Sequence, residues 1–196
     1  MPEPKIILMT NIKGGVGKST LCEEICYYFD GKNIPYSFIP MDTQGGLSHP
    51  AVENESPQYV LIDTPGKMDA LTQIDIADLL IVPMAPIKKA LDPTLLTLRA
   101  IKNRAKRNAK ILIVLAQWDR YSAAQAIEEI FMDSFKREFP DSSSVRICKI
   151  NASKLFDKSA IFNKSVIDCY KKSKPAIETA AFLETMMSLL NESEEE

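Results

Sequence analysis

Residues 12–20, Ile-Lys-Gly-Gly-Val-Gly-Lys-Ser-Thr, limit what this chain can fold into more than any other stretch. A short β-like run, residues 5–11, leads into them. An amphipathic run that groups Leu21, Cys22, Ile25, Cys26 and Phe29 on one helical face leads out. Gly14, Gly15 and Gly17 let the backbone curl until successive N–H groups converge, and the helix starting there adds the positive end of its dipole. Such a loop attracts clustered anionic oxygens. For a nucleoside triphosphate, Gly14, Gly15, Val16 and Gly17 form the cradle and Lys18 places a cation between the β- and γ-phosphates. Ser19 offers a hydroxyl to Mg2+, and Thr20 bonds the α-phosphate. The strict Walker pattern has glycine at position 12, where this chain has Ile12.

Further apolar runs, residues 37–41, 59–62, 79–83, 111–117 and 145–150, alternate with helical patterns. Several are apolar almost throughout, as strands covered by helices on both faces must be. The expected fold is α/β: a mostly parallel sheet flanked by helices, the P-loop NTPase architecture. Residues 122–139 group Ala126, Ile127, Ile130, Phe131 and Phe135 on one helical face, and Pro175 opens a helix over 176–190. A chain of 196 residues, 45% of them hydrophobic, suits one domain over 1–190, with an acidic tail over 191–196. Residues 1–5 lack the layout of a signal peptide and no apolar stretch reaches bilayer length, so the expected location is cytoplasmic. Cys22, Cys26, Cys148 and Cys169 contain no Cys-x-x-Cys pair and lie in apolar segments, which points to reduced core thiols. A net charge of −2 excludes a uniformly basic nucleic-acid binder and leaves only local patches.

The loop resembles that of the ParA/MinD class of deviant Walker A ATPases, whose extra lysine corresponds to Lys13. Phe38-Ile-Pro-Met-Asp-Thr-Gln-Gly-Gly-Leu-Ser48 resembles the ParA switch segment, with Asp42 and Gln44 on its second aspartate and its glutamine. Val60-Leu-Ile-Asp-Thr-Pro-Gly66 resembles the Walker B strand and the switch formed by Thr64, Pro65 and Gly66, and residues 77–86 resemble the next strand. The resemblance implies ATP and Mg2+ as cofactors, with Asp63 holding the metal through water. It implies that Asp42 orients or deprotonates the attacking water, and that Lys13 reaches across an ATP-dependent homodimer to the partner's phosphates, as an arginine finger does. Pro40 and Thr43 depart from the family's aspartate and proline, which bears on turnover rather than binding. The segment between Gln44 and Tyr59 is shorter than in relatives, and the first strand begins by Lys5, so the likeness is to the small ParA proteins.

In that family the partners are nonspecific DNA and a ParB-like centromere-binding or adaptor protein, with no membrane and with nucleoid association where DNA binding holds. Arg99, Lys102, Arg104, Lys106, Arg107 and Lys110 form a stretch without an acid. A second basic region runs from Arg146 through Lys149, Lys154, Lys158, Lys164, Lys171, Lys172 and Lys174, opposed by Asp157 and Asp168. Either suits backbone phosphates, and solvated helix faces remain the plainer alternative. Gln117 follows the fifth strand, where the resemblance implies an adenine contact; Trp118 suits packing, and His49 reads as a surface loop residue. Competing readings are a MinD-like membrane switch, a conjugation or transposon accessory ATPase, and a small-substrate synthetase resembling dethiobiotin synthetase. The first needs a basic amphipathic C-terminal helix, whereas residues 176–190 carry Glu178 and Glu184 and no cation.

Overall fold

The computed structural model describes residues 3–41, 48–118, 122–140 and 145–192. Six strands form one sheet in the order β2-β3-β1-β4-β5-β6: β1 Lys5–Met9, β2 Tyr36–Pro40, β3 Tyr59–Asp63, β4 Leu79–Met84, β5 Lys110–Trp118 and β6 Val145–Asn151. All five pairings are parallel, as the continuous apolar runs require. Helices α1 Lys18–Lys32, α2 Lys88–Arg104, α3 Ser122–Glu138, α4 Leu155–Ala160, α5 Val166–Cys169 and α6 Lys174–Asn191 follow in chain order among them.

Strand alternation splits the core in two. Ile7 and Met9 of β1 pack with Phe29 of α1 and Phe182 and Met186 of α6, whereas Leu8 packs with Leu98 of α2 and Phe131 of α3. β4 is buried at every position. Its Pro83 lies past the β1 ladder, which ends at Met9–Ile81, where a missing N–H is tolerated. Chain direction reverses around β1, because β3 lies on one side and β4, the next strand in sequence, on the other. Parallel sheets bind ligands at such a point, beyond the carboxyl ends of the strands.

Three expectations need correction. The core stripe of α3 consists of Ala124, Phe131 and Phe135 with Ile127 half-buried; Ala126 is exposed and Ile130 is 49% exposed. His49 is no surface residue: it is 8% exposed, with its ring against Tyr27, Tyr36 and Phe38. Its Nε2 lies 3.0 Å from the Asp30 carboxylate and its Nδ1 2.9 Å from the Pro50 carbonyl. Cys22 and Cys26 are core thiols, whereas Cys148 and Cys169 are only partly buried. No helix among the described residues is long and apolar enough to cross a membrane.

Candidate functional site

The glycine-rich loop leaves β1 at the reversal point. Gly15 (φ 73°) and Gly17 (φ 95°) occupy the left-handed region, which other residues adopt only at a cost, and α1 begins immediately after Gly17. The two lysines of the loop point in different directions. Lys18 is 4% exposed, with Nζ 3.3 Å from the Asn11 carbonyl and 3.4 Å from that of Lys13, so its charge is held inside the loop. Lys13 is half-buried, and its Nζ donates at 2.8 Å to the Gly14 carbonyl on the exposed rim.

Asp63 ends β3, fully buried, in register with Met9. Burial pushes the Cys22 thiol well above its usual range, with Asp63 raising it further and Lys18 lowering it. Ser19 lies in the first turn of α1. A hydroxyl and a carboxylate, completed by phosphate oxygens and water, make an oxygen set suited to a hard cation such as Mg2+. Thr64 is buried and its Oγ1 donates at 2.9 Å to the Met9 carbonyl. Gly66 lies against the loop so closely that a Cβ there would stand 2.5 Å from Gly14 Cα. The segment after β3 therefore touches the phosphate loop through backbone. Asp42 and Gln44 lie outside the described residues.

Gln117 sits where the β5–β6 register shifts, with φ 56°. The irregularity turns its side chain to the loop, where Nε2 donates at 3.1 Å to the Gly15 carbonyl. It stands at a cavity of about 340 Å3 lined also by Gly17, Thr20, Asn151, Phe156 and Asp157. Asn151 contributes to this lining, although its side-chain carbonyl is shielded from solvent and has no hydrogen-bond donor among the described residues. A cavity of this size with amide side chains and an aromatic ring in its lining can accept a nucleobase. Behind the cavity, Glu24 of α1 accepts from Ser165 Oγ at 2.5 Å and from the Val166 N–H, joining α1 to the start of α5. Burial lifts the Glu24 carboxyl to about 7 against the lowering effect of those two donors.

Sequence reasoning passed over Asn151 and Asn11. Both are amides at or just beyond the carboxyl ends of apolar strands, and that position is the signal that could have found them. Asn11 is buried; its Nδ2 donates to the Pro83 carbonyl (2.8 Å) and to Thr94 Oγ1 (2.9 Å), while its Oδ1 accepts the Lys13 N–H at 2.9 Å.

The basic residues divide. Arg99 pairs with Glu138 at 2.7 Å, Lys106 with Asp78 at 2.7 Å, and Lys149 with Glu128 at 2.7 Å. Lys102 donates to the Glu138 carbonyl and lies over the Phe139 ring. Lys149 also covers the ring of Trp118, whose indole N–H bonds Glu128. Arg104, Arg107, Lys171 and Lys172 are exposed and make no ion pair among the described residues.

No family model matches the chain, and no curated protein matches it by sequence. Solved structures do match over nearly the whole length. An ATP complex of a variant of Cyanothece McdA is 14% identical, covers 99% of this chain and 99% of its own, and has a TM-score of 0.72. A protein assigned to plasmid partition in Borrelia burgdorferi B31, solved with AMPPNP, is 17% identical over 95% of this chain and 99% of its own, at a TM-score of 0.68. The septum site-determining protein MinD of Pyrococcus horikoshii OT3, complexed with Mg-ADP, is 13% identical over 96% and 98%, at a TM-score of 0.67. The likeness is one of fold: the chain shares its parallel six-stranded α/β architecture with McdA, the Borrelia partition protein and MinD.

Proposed function

We propose that the chain is an ATP-binding and ATP-hydrolysing switch of ParA type, which pairs with a second copy of itself on ATP and positions DNA or other cargo. One observation carries this reading: a single phosphate loop holds one lysine inward, Lys18, and another, Lys13, on its rim. Lys18, the loop N–H groups and Thr20 hold the phosphates, and Asn151 and Gln117 meet the base. Ser19, and Asp63 through water, would hold Mg2+, which would supply charge neutralisation for the phosphate oxygens. Lys13 reaches the phosphates of the second copy, because two nucleotides can face each other only when cations neutralise them. Asp42 orients the attacking water, and the segments bearing Gln44 and Thr64, Pro65 and Gly66 respond to the γ-phosphate. McdA, the Borrelia protein and MinD, solved with ATP, AMPPNP and Mg-ADP, support nucleotide binding in this fold.

Light scattering with ATP against ADP tests the reading. Wild type is expected to become dimeric with ATP. Lys13→Ala is expected to bind ATP within about threefold of wild type yet stay monomeric, since its ammonium lies on the rim. A Lys13→Ala protein that dimerises normally rejects the trans role.

For DNA, the exposed pair Lys171 and Lys172 is the favoured phosphate-binding surface, with Arg104 and Arg107 second, because Arg99, Lys106 and Lys149 already face carboxylates. Reversing Lys171 and Lys172 to Glu is expected to weaken ATP-dependent retention of duplex DNA and to flatten its log–log salt slope by about 0.9 for each phosphate no longer neutralised. Arg99→Glu is expected to change neither. Equal weakening by both would spread the DNA-binding charge over the whole surface. A ParB-like or adaptor protein that stimulates hydrolysis completes the proposed cycle.

A further inference from the structure

Two buried threonines of α2 bond both to their own helix and to the loop. Thr94 Oγ1 donates to the Ala90 carbonyl at 2.7 Å, and Thr97 Oγ1 to that of Pro93 at 2.9 Å, each one turn back in its own helix. Both hydroxyls also present lone pairs to the loop, and Thr97 has Asn11 Oδ1 as a longer second acceptor at 3.4 Å. Thr94 accepts from Asn11 Nδ2 at 2.9 Å, and Thr97 accepts from the Ile12 N–H at 3.2 Å. Asn11, held by Thr94 and by the Pro83 carbonyl, offers its Oδ1 to the Lys13 N–H at 2.9 Å. Thr94, Thr97 and Asn11 are all fully buried. Further along the loop, Val16 packs with Ala85 and Ala90 in a separate apolar cluster at the start of the same helix. Helix α2 therefore holds the loop near Ile12 and near Val16, while the Lys18 backbone belongs to α1 and its ammonium reaches back to the Asn11 and Lys13 carbonyls.

We propose that Thr94, Thr97 and Asn11 form a clamp by which α2 sets the direction of Lys13, making them positioning residues for the lysine that acts across the dimer. The inference rests on the switch reading above. Its physical basis is that a long side chain on a rim is aimed by its backbone: the Ile12 and Lys13 N–H groups are each held by a part-buried bond, and Asn11 by its buried side-chain amide. Nucleotide binding depends mainly on Lys18 and the N–H groups at the start of α1. Loosening the clamp should therefore separate binding from dimerisation.

The test compares wild type, Thr97→Val, Thr94→Val and Thr97→Ser. Valine keeps the shape and removes the acceptor, whereas serine keeps the acceptor. Three readouts are taken: affinity for a fluorescent ADP analogue, ATP-dependent dimerisation by light scattering, and amide exchange at Ile12 and Lys13 by NMR. Both valine variants are expected to bind ADP within about threefold of wild type, to exchange faster at Ile12 or Lys13, and to lose ATP-dependent dimerisation and turnover by on the order of tenfold to a hundredfold. Thr97→Ser is expected to recover both. Unchanged dimerisation and exchange in the valine variants overturn the clamp, as does an equal loss of ADP and ATP binding, which would make the threonines general supports of the loop. Wild type that binds no nucleotide sinks the switch reading instead, and the exchange rates still decide whether the clamp holds the backbone.

Discussion

Lys18→Ala is expected to abolish nucleotide binding at ordinary concentrations. In the folded chain the Lys18 ammonium is 4% exposed and held inside the loop, 3.3 and 3.4 Å from two backbone carbonyls. Bound phosphates would take up that charge through at least two charge-assisted hydrogen bonds. At roughly 1.5–3 kcal/mol each, their loss raises the ATP Kd by about 10^2- to 10^4-fold. Asp63 is also fully buried in this part of the fold, so losing the buried cation is expected to lower stability as well as binding, without unfolding the chain. Isothermal titration with ATP and ADP, beside thermal unfolding, checks both halves. A variant that binds within tenfold of wild type would mean that the backbone N–H groups hold the phosphates unaided.

Gly66→Ala is expected to do comparable damage from outside the loop. The new methyl group would stand 2.5 Å from Gly14 Cα, 2.7 Å from Gly14 N and 3.3 Å from Lys13 C. These are backbone atoms, which cannot swing aside as a side chain does, so the loop or the segment after β3 must move by about 1 Å to reach van der Waals separation. Overpacking of that kind costs about 1–3 kcal/mol of stability. A displacement of that size in a phosphate cradle lowers turnover by about a hundredfold. Gly31→Ala is the matched control: its Cβ meets nothing within 4 Å in the last turn of α1, and it is expected to add roughly 0.5–1 kcal/mol. Chemical denaturation and ATP turnover on the two variants separate the cases. Normal turnover in Gly66→Ala would show that the close approach yields, and that this segment does not press on the loop.

Gly66 also shows where legibility stops. Its glycine identity was visible in the Thr-Pro-Gly turn, but the reason for it lies 52 positions away in the loop it touches. Gln117 is a similar case. The family resemblance marked it for the base, whereas a register shift in β5 turned its amide onto the Gly15 carbonyl.

The sequence by itself determined the sheet and the phosphate loop. Apolar runs without alternation demand helices on both faces, and glycines before a helix start allow one kind of turn. Both signals are local: they reside in the period of a short segment and in the φ its residues tolerate. Only the tertiary structure decided which cations are free, which polar groups are buried and what holds the loop. The stretch from Arg99 to Lys110 carries no acid of its own, yet Glu138, Asp78 and Glu192 come to meet it from distant elements. His49 is enclosed by Tyr27 and Tyr36 from two other elements, and Asn11 finds Thr94 and Thr97 on a helix beginning 77 residues later. Charge neutralisation, burial and hydrogen-bond polarity depend on partners that packing supplies, and those partners are separated along the chain by more than any local pattern spans.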